Sequence, residues 1–216
     1  MKSTLLNMTA VLFGITLIAS AGVGVVNMIT LEPIAQAELA AKTEALNGVL
    51  PAFDETLSDE LTIDDMIVTV HTASLDGMTV GYAVEAISKQ GFGGPVSLMV
   101  GFTPAGEVIN VNVLKQTETP GLGTKMADEG NSLINSIKGQ QLEQKKLVGG
   151  KLAVTKDGGD VDALTAATIS SRAYVDAINR AWMAFKSVST GEMPADTASG
   201  ATRTSEPQAQ EGGQNE

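Results

Sequence analysis

The chain contains no cysteine and only one histidine, His71, among its 216 residues. Thiolate-held iron–sulfur clusters, cysteine-attached haem and structural zinc sites therefore have no ligand set here. Basic residues are also few, 14 against 25 acidic ones, and the net charge of −11 argues against a nucleic-acid partner. If this chain moves electrons, the sequence predicts an organic carrier.

The N-terminal segment has no charged residue between Ser3 and Leu31. Leu5 to Ile29 is predominantly apolar and, at about 1.5 Å per residue, long enough to cross a hydrocarbon core of about 30 Å. A cleaved signal peptide would use Ala35-Gln36-Ala37 as its small-residue site, but its apolar region should span only about 7–15 residues. The greater length favours an uncleaved membrane anchor over residues 1–31.

The orientation of this anchor depends on a few charges. Lys2 lies on one side of the apolar span, and Glu32 and Glu38 lie on the other. The positive-inside tendency predicts a cytoplasmic N-terminus, with the remaining chain outside the inner (cytoplasmic) membrane. Residues 32–50 are rich in helix-forming residues, and Pro33 can open a helix, so we predict a juxtamembrane helix that acts as a spacer.

Residues 51–190 are predicted to form one α+β domain, a mainly antiparallel sheet with packed helices. Residues 53–63 are acidic and are interpreted as a connecting segment. Alternating apolar residues joined by short turns predict antiparallel strands, which are placed at residues 66–72, 79–87, 96–102, 109–113 and 147–154. Residues 124–137 are predicted to be helical, and the loop at 91–95 is interpreted as a turn. After Met193 the chain has no large apolar side chain, and residues 191–216 are predicted to be a disordered tail.

One polar stretch, Asp162-Ala163-Leu164-Thr165-Ala166-Ala167-Thr168, comes directly before a helix with apolar residues at helical spacing. Thr165 or Thr168 could cap this helix, whose first turn carries free N–H groups and the positive end of the dipole. Such a turn can bind a phosphate. An ordinary capped helix start remains the alternative.

A second stretch, Glu118-Thr119-Pro120-Gly121-Leu122-Gly123, follows the strand predicted at 109–113. Pro120 fixes φ, and the two glycines permit close approach of the backbone to a neighbouring group. A tight turn with no ligand is the alternative interpretation.

Together the two stretches resemble the FMN-binding domain family. The first is similar to its flavinylation motif Asp-x-x-Ser/Thr-Gly-Ala-Thr, with Ala166 where glycine is usual, and the second to its Glu-Thr-Pro-Gly-Leu-Gly signature. Their order and the Ser170-Ser171-Arg172 run resemble the G subunits of Rnf ion-translocating electron transport complexes. The C subunits of sodium-pumping NADH:quinone oxidoreductases are near relatives.

The resemblance implies that Thr168 carries FMN through a phosphoester bond and that Thr119 and Leu122 lie near the flavin ring. The implied site residues are Asp162, Thr165, Ala166, Ala167, Thr168, Glu118, Thr119, Gly121, Leu122 and Gly123.

The same resemblance implies an electron-transfer subunit in an ion-translocating ferredoxin/NAD oxidoreductase complex. Its partners would be the other membrane subunits and a flavin transferase, which reads Asp162 and installs FMN from FAD. Two other functions stay open: the related C subunit of the sodium pump, and a flavin-free extracytoplasmic binding module on a membrane anchor.

The tail contains a second motif-like stretch, Asp196-Thr197-Ala198-Ser199-Gly200-Ala201-Thr202, which matches the flavinylation motif more literally. It has no apolar periodicity and no following helix, so it provides neither a helix N-terminus for the phosphate nor walls for a ring. The physical context therefore favours Thr168 over Thr202, and a secondary modification of Thr202 remains open.

We predict that the protein stays membrane-anchored, because its apolar span exceeds that of a signal peptide. After extraction with alkaline carbonate, the protein should remain in the membrane pellet. A soluble mature form beginning near Glu38 would instead support signal cleavage.

Overall fold

The computed structural model describes residues 5–191 and 206–209. The chain divides into two units, one extending to Thr43 and one compact unit that begins at Glu44. The folded domain thus begins seven residues before the predicted boundary at residue 51. The predicted α+β class, with an antiparallel sheet and packed helices after one apolar N-terminal helix, is confirmed.

The first helix, α1, spans Leu5–Val49 and contains Pro33. The expectation that Pro33 opens a separate helix was wrong, because good helix formers on both sides continue the helix through the proline. By length and composition, α1 can cross a membrane, with a mean hydropathy of 2.1 in its apolar window. Many apolar side chains of this candidate span are exposed, as at Ile18 and Met28, which are 73% and 80% exposed.

The strands are β1 (Glu55–Ile63), β2 (Met66–Leu75), β3 (Met78–Ser88), β4 (Val96–Phe102), β5 (Val108–Lys115), β6 (Leu147–Val148), β7 (Lys151–Leu152) and β8 (Glu206–Ala209). Five long antiparallel strands form the sheet of the second unit, in the spatial order β5-β4-β3-β2-β1.

A short strand of the tail, β8, continues the sheet beside β1, where the disordered tail was expected. Edge strands present unpaired N–H and C=O groups, which such a segment can pair. Thr202 lies outside the described residues.

The acidic segment before residue 64 is a strand and not the predicted connection. All of β1 pairs with β2, and its apolar residues Leu61 and Ile63 are buried. The hairpin between them turns at Asp64 and Asp65, both with positive φ, as a two-residue type I′ turn requires. The acidic side chains of β1 hide its strand pattern in the sequence. Its assignment as a strand depends on its pairing with β2.

Two further predicted elements are broken in the structure. The predicted helix at 124–137 is a 3₁₀ turn, Gly123–Ala127, followed by a short helix α2, Ser132–Asn135. Gly130 has a φ of +65°, and the Asn131 side chain caps α2 by accepting hydrogen bonds from two of its N–H groups. The predicted strand at 147–154 is instead the tight hairpin of β6 and β7, which turns at two glycines with positive φ.

The helix α3, Thr168–Thr190, packs across one face of the sheet. Its buried residues, including Tyr174 and Ile178, join a core with side chains of β1 to β5. Val84, Ala86 and Tyr82 share this face as predicted, but Val80 packs with the other face. The pairing of β3 with β2 shifts by one residue there, which reverses the direction of the side chain.

The opposite face of the sheet is covered by the end of α1. Ala45 and Val49 of α1 pack on Ala83 and Met99 in a second core cluster, and the Asn110 side chain donates a hydrogen bond to the Gly48 carbonyl at 3.1 Å. A Cβ on Gly101 would lie 2.0 Å from the Val49 carbonyl oxygen. The last turns of α1 therefore belong to the folded domain and are not a spacer.

We predict that Gly101→Ala lowers the free energy of unfolding by about 1–3 kcal/mol, because the new methyl group meets rigid backbone. Urea unfolding of the detergent-solubilised chain, followed by the fluorescence of the single tryptophan, Trp182, measures this. Gly48→Ala is the control, since its Cβ would make an ordinary 3.5 Å contact inside a helix. Equal effects of both substitutions would show that the approach of α1 does not require a glycine.

Candidate functional site

The start of α3 carries the first sequence motif. Neither Thr165 nor Thr168 caps the helix: Ala167 occupies the N-cap position without a side-chain cap, and Thr168 is the first helical residue. The Ser171 hydroxyl accepts a hydrogen bond from the Leu164 N–H at 2.9 Å and donates one to the Ala167 carbonyl at 2.9 Å. Ser171 therefore ties the motif to the helix and leaves the Thr168 hydroxyl without a capping role.

Ala166 occupies the position where the flavinylation motif usually has glycine. Its φ is +62°, in the left-handed region that disfavours a side chain. The conformation explains the preference for glycine at this position. An alanine there keeps the same backbone at a cost in strain.

The second motif turns through Thr119 to Gly123 and uses its two glycines differently. Gly121 has a φ of +74°, and a Cβ there would meet nothing within 4 Å. A Cβ on Gly123 would lie 2.6 Å from the Ser170 hydroxyl and 2.7 Å from the Glu118 Cβ. The close approach of the backbone to a neighbouring group, which was expected for both glycines, therefore occurs at Gly123. Gly121 is instead needed for its positive φ.

Glu118 joins the two motifs. Its carboxylate is buried, with the residue only 4% exposed. One oxygen accepts a hydrogen bond from the Ser170 hydroxyl at 2.5 Å, and the other accepts one from the Gly93 N–H at 3.1 Å. Ser170 lies in the first turn of α3, where the helix dipole favours a negative group. The hydrogen bonds of the buried Glu118 thus join the first turn of α3 to the loop that contains Gly93.

Between the motifs lies an open cleft of about 350 Å³. Its apolar side chains are partly exposed, Phe92 at 67%, Ile169 at 47% and Leu122 at 40%. The residues that line it are Phe92, Thr119, Leu122, Gly123, Ala166, Ala167, Thr168, Ile169 and Ser170. The cleft therefore combines an apolar surface with the hydroxyl of Thr168.

Phe92 was not identified as a site residue from the sequence, where residues 91–95 were interpreted as a turn. This loop is fixed against the second motif, since the Thr117 hydroxyl donates a hydrogen bond to the Gly93 carbonyl at 2.9 Å. A Cβ on Gly93 would lie 1.9 Å from the Thr117 carbonyl oxygen. The sequence signal that could have revealed this third wall is an aromatic residue within a run of glycines, Gly91-Phe92-Gly93-Gly94.

Four of the predicted site residues do not line the cleft, and one of them is the buried Glu118. Asp162 and Thr165 are exposed, and Gly121 lies on the outer side of its turn. The Asp162 N–H donates a hydrogen bond to the Ser136 hydroxyl at 2.9 Å, which fixes the backbone of the motif. The exposed Asp162 is available to another protein.

Lys156 and its neighbours were also missed, because they lie outside both motifs. The Lys156 ammonium donates a hydrogen bond to the Thr168 hydroxyl oxygen at 2.7 Å. Arg172 binds the carboxylate of Asp157 with two hydrogen bonds, at 2.7 and 2.6 Å. The hydrogen bond from Arg172 lowers the pKa of Asp157 below its ordinary value. Thr168 therefore lies beside a lysine whose loop is tied to α3.

A larger cavity of about 560 Å³ lies elsewhere in the domain, lined by residues of β5, such as Asn110 and Asn112, and by residues around α2, such as Asn131 and Asn135. It contains no residue of either motif and no exposed aromatic side chain. Its asparagines also make structural hydrogen bonds, as Asn131 does in capping α2. The smaller cleft is therefore the better candidate site.

Comparison with known proteins agrees with this choice. Residues 91–183 match the model of the FMN-binding domain family, a range that includes every residue lining the cleft. The G subunit of the ion-translocating oxidoreductase complex of Shewanella loihica is 34% identical over 193 residues, covering 83% of this chain and 89% of that protein. The corresponding protein of Vibrio cholerae is 36% identical over 162 residues, covering 71% of this chain and 77% of that protein. The chain belongs to the family of these G subunits.

Membership in this family confirms the resemblance inferred from the two motifs. In this chain the matched FMN-binding domain begins at Gly91, beside Phe92, and ends within α3. The apolar part of α1 precedes it and supplies one candidate span among the described residues. These features together support a single-pass membrane protein.

We predict that Ala166→Gly raises the free energy of unfolding by about 0.5–1 kcal/mol, since relief of the left-handed strain exceeds the entropy that glycine loses on folding. Urea unfolding of the full chain in detergent measures this. Ala173→Gly is the control, because Ala173 is buried inside α3 and has no positive φ. The control should be destabilised, and the same destabilisation in Ala166→Gly would contradict the strain at this position.

Proposed function

We propose that this protein is a membrane-anchored electron-transfer subunit of an ion-translocating oxidoreductase complex, with FMN esterified to Thr168. One observation carries the proposal: the two motifs, far apart in sequence, line a single cleft that has the Thr168 hydroxyl in its wall. The relatives are named as subunits of an ion-translocating oxidoreductase complex. By the same resemblance, the complex would link ferredoxin and NAD, and its other membrane subunits would be the partners.

The residues of the cleft suit FMN. The volume of about 350 Å³ lies within the roughly 300–1,000 Å³ of typical small-molecule sites. Phe92, Leu122 and Ile169 offer apolar surface to a flat ring, and Gly123 lets the backbone of this wall pack closely against Ser170 and Glu118. The first turn of α3 and the Lys156 ammonium favour a phosphate group beside Thr168. When bound, FMN supplies the electron-carrying chemistry, and the protein positions it and controls its surroundings.

Covalent attachment would need help from another protein. A threonine hydroxyl is a weak nucleophile without a base, and the side chain that contacts Thr168, Lys156, is a proton donor. A flavin transferase would therefore form the bond between the Thr168 oxygen and the FMN phosphorus of FAD. The phosphoanhydride bond breaks, AMP leaves, and a base of the transferase takes the hydroxyl proton. The exposed Asp162 suits recognition by this enzyme.

The arrangement at the membrane follows from the charges around α1. Lys2 on one side and Glu32 and Glu38 on the other favour a cytoplasmic N-terminus. The FMN-binding domain would then lie outside the cytoplasm, anchored to the inner membrane. A covalent link is useful there, because a flavin in an open cleft would otherwise be lost by dissociation.

We predict that Thr168→Ala abolishes covalent flavin, because it removes the only atom that forms the ester. The chain is expressed with the transferase, and flavin fluorescence is inspected in a denaturing gel. Thr79→Ala is the control, since Thr79 is an exposed threonine of β3 that belongs to neither motif and does not line the cleft. The control and Thr202→Ala should both retain the fluorescent band.

Two results would contradict the proposal in different ways. A band that survives Thr168→Ala and disappears with Thr202→Ala would move the attachment to the tail. A wild-type protein without fluorescence or bound flavin, although expressed with an active transferase, would instead support the flavin-free binding module. A sodium-pump C subunit would be recognised by the other proteins that copurify with it.

A further inference from the structure

A lysine outside both motifs contacts the atom that would carry the flavin. Lys156 lies 12 positions before Thr168 in the sequence, and its ammonium is 2.7 Å from the Thr168 hydroxyl oxygen. An ammonium group has three donors and no acceptor, so the hydroxyl must be the acceptor of this hydrogen bond. The hydroxyl proton is therefore left free for removal by a base.

The loop that carries Lys156 is held in place at several points. Lys156 is the middle residue of a 3₁₀ turn, Thr155–Asp157. The Thr155 N–H donates to the Val161 carbonyl at 2.9 Å, and a Cβ on Gly159 would lie 2.0 Å from the Ala153 carbonyl oxygen. The loop is thus packed closely against its own return segment.

The ion pair of Asp157 with Arg172 ties the same turn to α3. Its two hydrogen bonds, at 2.7 and 2.6 Å, join the planar guanidinium to both carboxylate oxygens. This bidentate geometry is directional. Arg172 lies one helical turn after Thr168, so the pair fixes the turn beside the first residue of the helix.

We propose that Lys156 stabilises the reacting Thr168 oxygen during flavin attachment and is held on it by the pair of Asp157 and Arg172. The inference rests on the proposed function of Thr168. During transfer, the ammonium stabilises the negative charge that develops on the Thr168 oxygen as its proton leaves for the base of the transferase. The oxygen forms its bond to the FMN phosphorus of FAD, and AMP departs. The remaining phosphodiester carries one negative charge, which lies beside the same ammonium.

Arg172 does not take this role in the structure, because its guanidinium is bound to Asp157. The two cations near the start of α3 therefore have different roles. Lys156 acts on the reacting oxygen, and Arg172 acts on the position of Lys156.

The test measures the initial rate of flavin attachment to the full apo-chain in detergent, with purified transferase and FAD. Lys156→Gln should lower the maximal rate at least about tenfold, which corresponds to the loss of one charge-assisted hydrogen bond. The Michaelis constant for the chain should change little, and Lys156→Arg should recover most of the rate. Lys146→Gln removes an exposed lysine that lies outside the cleft, and it should react like the wild type.

The pair of Asp157 and Arg172 is tested by exchange of its charges. Asp157→Arg and Arg172→Asp should each slow the attachment, and the two together should restore a large part of the rate. Asp157→Asn should add little to Lys156→Gln, because both changes remove the same interaction. Urea unfolding of each variant separates these effects from a loss of folding.

The outcomes distinguish this inference from the proposed function. No attachment to the wild-type chain, or attachment that persists in Thr168→Ala, overturns the proposed function itself. Attachment to Thr168 at an unchanged rate in folded Lys156→Gln overturns only the role of Lys156. A raised Michaelis constant with an unchanged maximal rate would also overturn it, since that result would make Lys156 a recognition residue for the transferase.

Discussion

The hydrogen bond between Ser170 and Glu118 is the contact on which the candidate site depends. It joins residues 52 positions apart, one in the first turn of α3 and one at the end of the segment that follows β5. The surrounding backbone is built for this buried carboxylate: a Cβ on Gly91 would lie 2.6 Å from one oxygen, and a Cβ on Gly123 would lie 2.9 Å from the other. Two chain segments that carry separate motifs thereby become the walls of one cleft.

The sheet supports this arrangement from both sides. The helix α3 packs on one face, and its burial determines where Thr168 emerges at the N-terminal end. The last turns of α1 pack on the other face, where Gly101 lets the α1 backbone approach the strand closely. A change in either layer can therefore alter the site without touching a residue of the cleft.

The cleft brings together the two kinds of surface that an amphipathic cofactor requires. Phe92, Leu122 and Ile169 form an exposed apolar surface, which is costly to leave in water without a ligand or partner. Thr168 adds a hydroxyl, and Lys156 adds a positive charge beside it. The protein thus offers an apolar wall for a ring and a polar group for a phosphate, in agreement with the match to the FMN-binding domain family.

The sequence by itself determined the apolar N-terminal helix, four of the five long strands, the final helix and the two motifs, because each has a local signal in spacing or composition. It did not reveal β1, whose acidic residues hid an alternation that needs β2 as a partner. From the sequence alone, both glycines of the second motif were expected to allow a close approach of the backbone to a neighbouring group. In the structure only Gly123 makes such an approach, to Ser170 and Glu118. Only the tertiary structure decided that Phe92 lines the cleft and that Lys156 contacts Thr168. The loops that carry these two residues are positioned by contacts with Thr117 and between Asp157 and Arg172, which leave no pattern along the chain.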